Sequence, residues 1–377
     1  MESKMNLLTK TVPWVMASLL TAASAFGQSK CPPAQKTFSQ GEELLPNQYM
    51  AAYNAPARID VRGAWDFYAN GTFTYWQAIQ ENMEPGLVNN STVTTDAVNG
   101  DIVNCCFKYK PGFKVGVGMN FDHDNWDGYA QYTWFRGVDT TSTTLDTNNA
   151  NITIMPMWGH PSTIQADTFF TQSQRWRLHM DLLDLELARS YYVGTCLTFR
   201  PFFGARGAWI RQNNNVTYTN TVATSTANTT TISQKSHSWG VGPRAGININ
   251  WLVGQGFRFY TVGDADILYT RYTKLRSHGS TSIDNVLTTS AQTHVRQNNL
   301  SYLRTHLDME LGLGWGTYFD NNNWHVDLFA GYDFQVFFDQ NMFRHFNGTN
   351  AAMAANSISP NGNLYVQGLN TGVRFDF

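Results

Sequence analysis

Apolar and polar residues alternate one by one along much of this chain, and the runs are long. Over residues 303–319, Leu303, Leu307, Met309, Leu311, Leu313, Trp315 and Phe319 share one parity. Arg304, His306, Asp308, Glu310, Gly312, Gly314 and Gly316 share the other. Residues 324–338 repeat the device, with Trp324, Val326, Leu328, Ala330, Tyr332, Phe334, Val336 and Phe338 against His325, Asp327, Gly331, Asp333 and Gln335. Residues 113–121 set Phe113, Val115, Val117, Met119 and Phe121 against Lys114, Gly116, Gly118 and Asn120. Residues 239–251 set Trp239, Val241, Ala245, Ile247, Ile249 and Trp251 against Gly240, Gly242, Arg244, Gly246 and Asn248. A period of two is a strand with two different faces. Strands of soluble sheets average about 5–6 residues, whereas membrane-barrel strands run to about ten or more with aromatics near both interfaces. The apolar set therefore faces lipid and the polar set a lumen.

Other stretches are less regular. Residues 197–211 carry Arg200, Gly204 and Arg206 on one parity. In residues 175–189 the polar parity switches between Asp181 and Asp184, as a β-bulge would cause. Residues 257–272 are mixed, with Asp264 and Asp266 opposite Ile267 and Tyr269. Ten strands result, near 63–79, 105–121, 126–138, 174–191, 195–211, 237–252, 256–273, 301–319, 323–339 and 362–377. The connections alternate in length: 80–104, 139–173, 212–236, 274–300 and 340–361 are long, and those near 122–125, 192–194, 253–255 and 320–322 are short. Outer-membrane barrels have short periplasmic turns and long outer loops, so both termini are expected on the periplasmic side. The long connections are rich in Asn, Thr and Ser, most plainly 213–233, and read as solvated surface. Asn-x-Ser/Thr triplets such as Asn228-Thr229-Thr230 reflect that composition. Asp122, Asp124 and Asp127 read as turn chemistry, since a calcium loop would need twelve-residue spacing and a final Glu.

The fold expected is all-β: a transmembrane antiparallel up-and-down barrel of about ten strands, with 12–16 as alternatives. Composition agrees. Charged residues are only 14% of the 377-residue chain and aromatics another 14%, yet mean hydropathy is −0.34. No stretch outside the N-terminus reaches 18 consecutive apolar residues, which argues against helical spans. A closed barrel is the other way to pair every backbone amide inside lipid. Lys4 and Lys10 precede a mostly apolar run from Val12 to Phe26, and Ala23-Ser24-Ala25 and Ala25-Phe26-Gly27 are cleavage sites of the right kind. Residues 1–27 are therefore expected to be a signal peptide, 28–62 an N-terminal periplasmic segment and 63–377 the barrel. Without the signal the chain carries 24 basic and 27 acidic residues, which does not suggest a nucleic-acid partner. The last strand sets Leu369, Val373, Phe375 and Phe377 against Asn370, Gly372, Arg374 and Asp376. Phe375 and Phe377 are the candidate signal for the barrel-assembly machinery.

Four cysteines, Cys31, Cys105, Cys106 and Cys196, would be exported to an oxidising compartment and are disulfide candidates. They allow three pairings, between which spacing does not choose. Their spacing does not suit zinc, and no cofactor or metal is expected.

Several long motifs resemble the major outer-membrane protein-like family of Legionella and the Chlamydia-related bacteria. They are PGFKVGVGMNFDHDNWDGYAQYTWF at 111–135, LDLELARSYYVGTCLTFRPFFGARGAWI at 183–210 and WGVGPRAGININW at 239–251. DFYANGTFTYWQA at 66–78 and the ending VQGLNTGVRFDF at 366–377 are similar too. The resemblance covers most of the mature chain. It implies an abundant, surface-exposed barrel, often assigned as a porin and sometimes disulfide-crosslinked, and it carries over no catalytic residue. A porin would pass small hydrophilic solutes, with Lys114, Arg200, Arg206, Arg244, Arg304, Asp308, Glu310, Asp327, Asp333 and Arg374 as candidate lumen residues. Against an open pore, those charges can pair with one another, and open porins use ~16–18 strands. Gly312, Gly314, Gly316, Gly331 and Gly372 on the lumen parity leave some room. The alternative is a structural or adhesive surface protein, with Cys105 and Cys106 tying neighbours together. Expected partners are outer-membrane lipid, lipopolysaccharide and a homo-oligomer. A barrel enzyme would need more than the pairs His179–Asp181 and His306–Asp308, because no nucleophile with an orienting group accompanies them.

Overall fold

The computed structural model describes residues 55–377, apart from 63–65, 91–98, 122–123, 148–151, 161–162, 165–168, 221–227, 284–285, 288–291, 348–355 and 359–360. Residues 1–27, expected to be a signal peptide, Cys31, Asp122 and most of the segment 28–62 lie outside the described residues.

Ten antiparallel strands close into one barrel. They are β1 (Phe67–Gln80), β2 (Tyr109–Asn120), β3 (Trp126–Thr144), β4 (Thr171–Arg189), β5 (Leu197–Asn220), β6 (Asn228–Gly254), β7 (Phe257–Ile283), β8 (Leu300–Phe319), β9 (Trp324–Phe337) and β10 (Leu364–Asp376). Each pairs with its sequence neighbour, and β10 pairs with β1 from Tyr68↔Asp376 to Gln80↔Leu364, which closes the cylinder and leaves no free edge. Four short turns mark one end. Their tight geometry uses left-handed Asn, Asp and Gln residues, as at Asp124, Asn125, Gln255, Asp320, Asn321 and Asn322. Described residues of the N-terminal segment lie against these turns, with Ala57 bonded to Ser190 and Arg62 to Asn322.

At the other end the strands run further than their alternation suggests. Residues 212–220 and 228–236, expected to be solvated loop, extend β5 and β6 in continuous register, including Asn228-Thr229-Thr230. Residues 274–283 likewise extend β7. Asn214, Val216, Tyr218, Thr230 and Ile232 on these extensions are buried. Asn and Thr read as loop formers only until something covers them. Here connections fold back into the mouth and do so. A small sheet of residues 86–89, 100–102 and 153–156 sits there.

The outward face carries the large apolar side chains: Phe113, Val117, Phe203, Val241, Leu303, Leu313, Leu328 and Phe375 are all exposed. Aromatics concentrate in two belts. Trp134, Trp209, Trp239 and Tyr269 form one, and Trp251, Phe257, Trp315 and Trp324 the other. On β6, Trp239 and Trp251 are 12 positions apart. At ~3.3 Å per residue and the ~40° tilt of such strands, the belts stand about 30 Å apart, a bilayer's hydrocarbon thickness.

The bulge expected in 175–189 is absent. β4 keeps unbroken register with both neighbours from Thr171 to Ala188. Gln172, Gln174, Trp176, Leu178, Met180, Leu182 and Asp184 all point inward, while Arg177, His179 and Asp181 point out. The parity does not switch. The interior itself changes, from charged at the short-turn half to apolar and amide at the long-loop half. A genuine bulge occurs at Thr273, where His237 pairs with Lys274 but Ser238 with Tyr272.

Candidate functional site: the barrel interior

In the short-turn half, charged side chains from facing strands meet across the interior. Arg206 on β5 is 1% exposed. Its Nε and Nη2 donate to Asp184 Oδ1 and Oδ2 at 2.5 and 3.0 Å, and Nη1 reaches Asp266 Oδ2 at 2.9 Å. Arg244 forks onto Asp264 at 2.9 and 2.5 Å and donates to Glu186 at 2.5 Å. Arg200 bridges Asp127 at 2.5 Å and Glu186 at 3.1 Å. Lys114 donates to Asp333 at 2.9 Å and lies 3.8 Å from Glu310. Asp308 lies 3.9 Å from Arg206. Nearer the turns, Arg258 forks onto Asp327 and Arg374 onto Asp376, which also accepts from His325 at 3.1 Å.

Nine of the ten charged residues singled out in the sequence thus meet in one connected cluster or its short-turn fringe. Arg304 stands apart at the long-loop end, 3.4 Å from Asp339. Their partners Asp127, Asp184, Glu186, Arg258, Asp264, Asp266 and Asp376 were not singled out. Interior parity would have flagged Asp264 and Asp266, whose neighbours made the stretch look mixed. The pairing is forced by burial: an ion taken from water costs several kcal/mol unless an opposite charge and hydrogen bonds replace its hydration.

The interior glycines do not open the lumen. A side-chain carbon at Gly312 would stand 2.6 Å from the Tyr260 ring, at Gly314 2.7 Å from the Arg258 guanidinium, at Gly316 2.8 Å from His325 and at Gly372 2.6 Å from Phe329. At Gly331 it would strike the Tyr260 hydroxyl. Each glycine makes space that a neighbour's larger side chain fills. What stays empty is a cavity of about 210 Å³ among Lys114, Arg200, Arg244, Arg258, Tyr260 and Glu310.

Among the described residues, the long-loop half is packed with apolar side chains. Trp76, Phe135, Leu178, Met180, Leu182, Ile210 and Phe337 project from the wall into one core with Met83, Ile154, Trp158 and Phe343 of the infolded connections. The inserted segments are tied down by their backbone: Trp158 Nε1 donates to Glu84 O at 2.8 Å, Gln174 Nε2 to Met83 O at 2.9 Å, and Tyr218 to Pro85 O.

Asp264, Asp266 and His306 converge closely enough to hold a cation. Arg206 already takes that place, with Nη1 2.6 Å from His306 Nδ1, 2.9 Å from Asp266 and 3.5 Å from Asp264. The donor set therefore fits a guanidinium and not an added metal ion. His306 is held by Asp266 at 2.8 Å. His179 and Asp181 face outward, where Asp181 pairs with Arg136 at 2.8 Å.

Cys105 and Cys106 are free thiols, so neither forms the internal disulfide that was one alternative. Cys105 is half-buried, with Sγ donating to Met83 O at 3.0 Å. Burial and the neighbouring Glu84 carboxylate push its thiol up to about 12. Cys106 is exposed. A thiolate is the reacting species. Iodoacetamide at pH 8 should therefore modify Cys106 in the folded barrel and spare Cys105, as read by peptide mass mapping. Equal labelling of the two would show that burial does not protect Cys105.

No curated protein sequence matches the chain. Several solved outer-membrane barrels resemble it at low identity. The outer membrane protease OmpT from Escherichia coli is 8% identical, with 82% of this chain and 96% of that chain covered and a TM-score of 0.35. A major outer membrane protein from Thermus thermophilus is 11% identical, with 82% and 99% covered and a TM-score of 0.27. The CymD monoaromatic hydrocarbon channel is 10% identical, with 82% and 88% covered and a TM-score of 0.30. Such distant likenesses transfer no activity. The family described as Legionella pneumophila major outer membrane protein precursor, by contrast, matches residues 60–377. With the barrel, its two aromatic belts and this match across nearly all the described residues, the chain belongs to that outer-membrane protein family.

Proposed function

We propose that this barrel is a closed structural component of the outer membrane, with its short turns toward the periplasm and its long-loop end outward, and not an open diffusion pore in the conformation described. One observation carries the reading: ion pairs crowd one half of the interior and leave only the cavity of about 210 Å³, and the core around Trp76, Phe135 and Trp158 fills the other half. Ten strands leave an interior that side chains can fill, whereas wide channels need ~16–18. Phe375 and Phe377 project from the terminal strand, both exposed, and suit reading by an assembly machinery. The exposed Cys106, on the long-loop side of β2, is the thiol that would link neighbouring molecules.

A porin role remains as a second reading on the strength of the 210 Å³ charged cavity, which would be the inner part of a pathway if the apolar half opened. Planar bilayers and liposome swelling with graded sugars separate the two. The closed barrel gives no conductance steps and no swelling. Sustained conductance from the refolded wild-type protein would replace this reading with the porin.

A further inference from the structure

The outer wall of the long-loop half carries basic residues where the interior offers them no acid. On β6 and β7, Lys235 pairs across the sheet with Arg276, and Arg276 with Arg296 on the short strand Thr293–Gln297. One pair along, Ser233 lies beside His278, and His278 beside His294. Lys235, Arg276 and Arg296 are exposed, and among the described residues none has an ion-pair partner within 4 Å. The like charges are brought together by the bulge at Thr273. Before it the even residues of β7 point inward, as at Asp264, Leu268 and Tyr272. After it Leu275 and Ser277 point inward, and Lys274 and Arg276 are turned out. Between these side chains lies a pocket of about 200 Å³, lined by Ser233, Lys235, Arg276, His278, His294 and Arg296.

Clustering cations in register costs repulsion, which an anion between them would reverse. The position says which anion. Trp239, outward like Lys235 and four residues from it, belongs to the aromatic belt that sits at the edge of the hydrocarbon. Lys235 and its partners therefore stand just beyond that edge, at headgroup level. Apolar wall lies on one side for acyl chains, and guanidinium forks suit phosphate oxygens.

We propose that this pocket binds a phosphate group of a phosphorylated glycolipid of the outer leaflet, with Lys235, Arg276 and Arg296 as its ligands. The proposal rests on the orientation proposed above, with the long-loop end outward.

The test uses full-length refolded protein in detergent micelles with bisphosphorylated lipid A as the probe, read by native mass spectrometry and by thermal unfolding. Wild type should retain the lipid and unfold at higher temperature in its presence. The triple variant Lys235→Gln, Arg276→Gln, Arg296→Gln should bind at least tenfold more weakly while keeping the heat-modifiable gel shift of a folded barrel. Arg175→Gln, also outward but outside the pocket, should bind like wild type, and serves as a charge control. Equal binding by the triple variant, or equal loss in Arg175→Gln, would overturn the site. A soluble polysulfated saccharide binding as tightly as lipid A would overturn the assignment to a glycolipid. Orientation is read separately, by labelling Cys106 on intact cells with a membrane-impermeant maleimide, so its failure is distinguishable from loss of phosphate binding.

Discussion

Replacing Arg206 with Met should destabilise the refolded barrel by about 3–5 kcal/mol, the range for breaking a buried ion pair by removing one partner. Arg206 touches Asp184 with two nitrogens and Asp266 with a third, and lies within 4 Å of Asp264 and Asp308. Asp184, Asp264 and Asp266 are almost wholly buried. Removing the guanidinium leaves buried carboxylates facing each other without the opposite charge that replaced their hydration. Arg244 offsets part of this, since it lies 3.8 Å from Asp184. Arg206→Lys keeps the charge but not the fork, and should fall between the two. Adding Asp184→Val to Arg206→Met should recover part of the loss by removing an orphaned acid. Urea unfolding in phospholipid vesicles, followed by tryptophan fluorescence, measures all four proteins. If Arg206→Met unfolds at the wild-type urea midpoint, the ion-pair cluster is not what holds the short-turn half together.

Trp76→Ala should cost a similar amount, about 3–5 kcal/mol for emptying a buried Trp site. Trp76 is 0% exposed and sits where the two halves of the interior meet. One side of the indole faces the charges: Nε1 donates to Asn370 Oδ1 at 2.9 Å, and Lys114 Nζ lies 5.0 Å above the ring. The other side packs on Phe135, with ring centroids 5.7 Å apart. Alanine leaves a void in a wall that hydrogen-bonded strands cannot collapse into, and strands Asn370 without its donor. Trp76→Phe restores most of the volume but not the hydrogen bond, and should lose clearly less. The same unfolding experiment decides this. Equal midpoints for the Ala and Phe variants would mean that the lost hydrogen bond, and not the void, sets the cost.

Much of the fold is legible in the sequence. The long alternation around Leu303–Phe319 and Trp324–Phe334 identifies barrel strands, because period two sustained over such lengths requires an extended segment with lipid on one face. Strand number and the alternation of short and long connections follow from the same pattern. Interior position for Lys114, Arg206 and Arg244 is visible in it too, since each sits on the parity opposite an apolar set.

Other features depend on what lies across the barrel, and adjacent residues carry no record of that. Leu178, Met180 and Leu182 look like a lipid-facing set, and their strand like a bulged one. They point inward because the mouth holds Trp158, Phe343 and Met83, which come from three different connections. The Asn- and Thr-rich ends of β5 and β6 are wall for the same reason. The interior glycines suggest space that Tyr260, Arg258 and His325, on other strands, occupy. Local sequence determined the number of strands and the short turns between them, since both rest on contacts between near neighbours. How the interior is occupied was decided only by tertiary structure, because most interior charges are paired, and the space at the interior glycines is taken, by side chains from other strands.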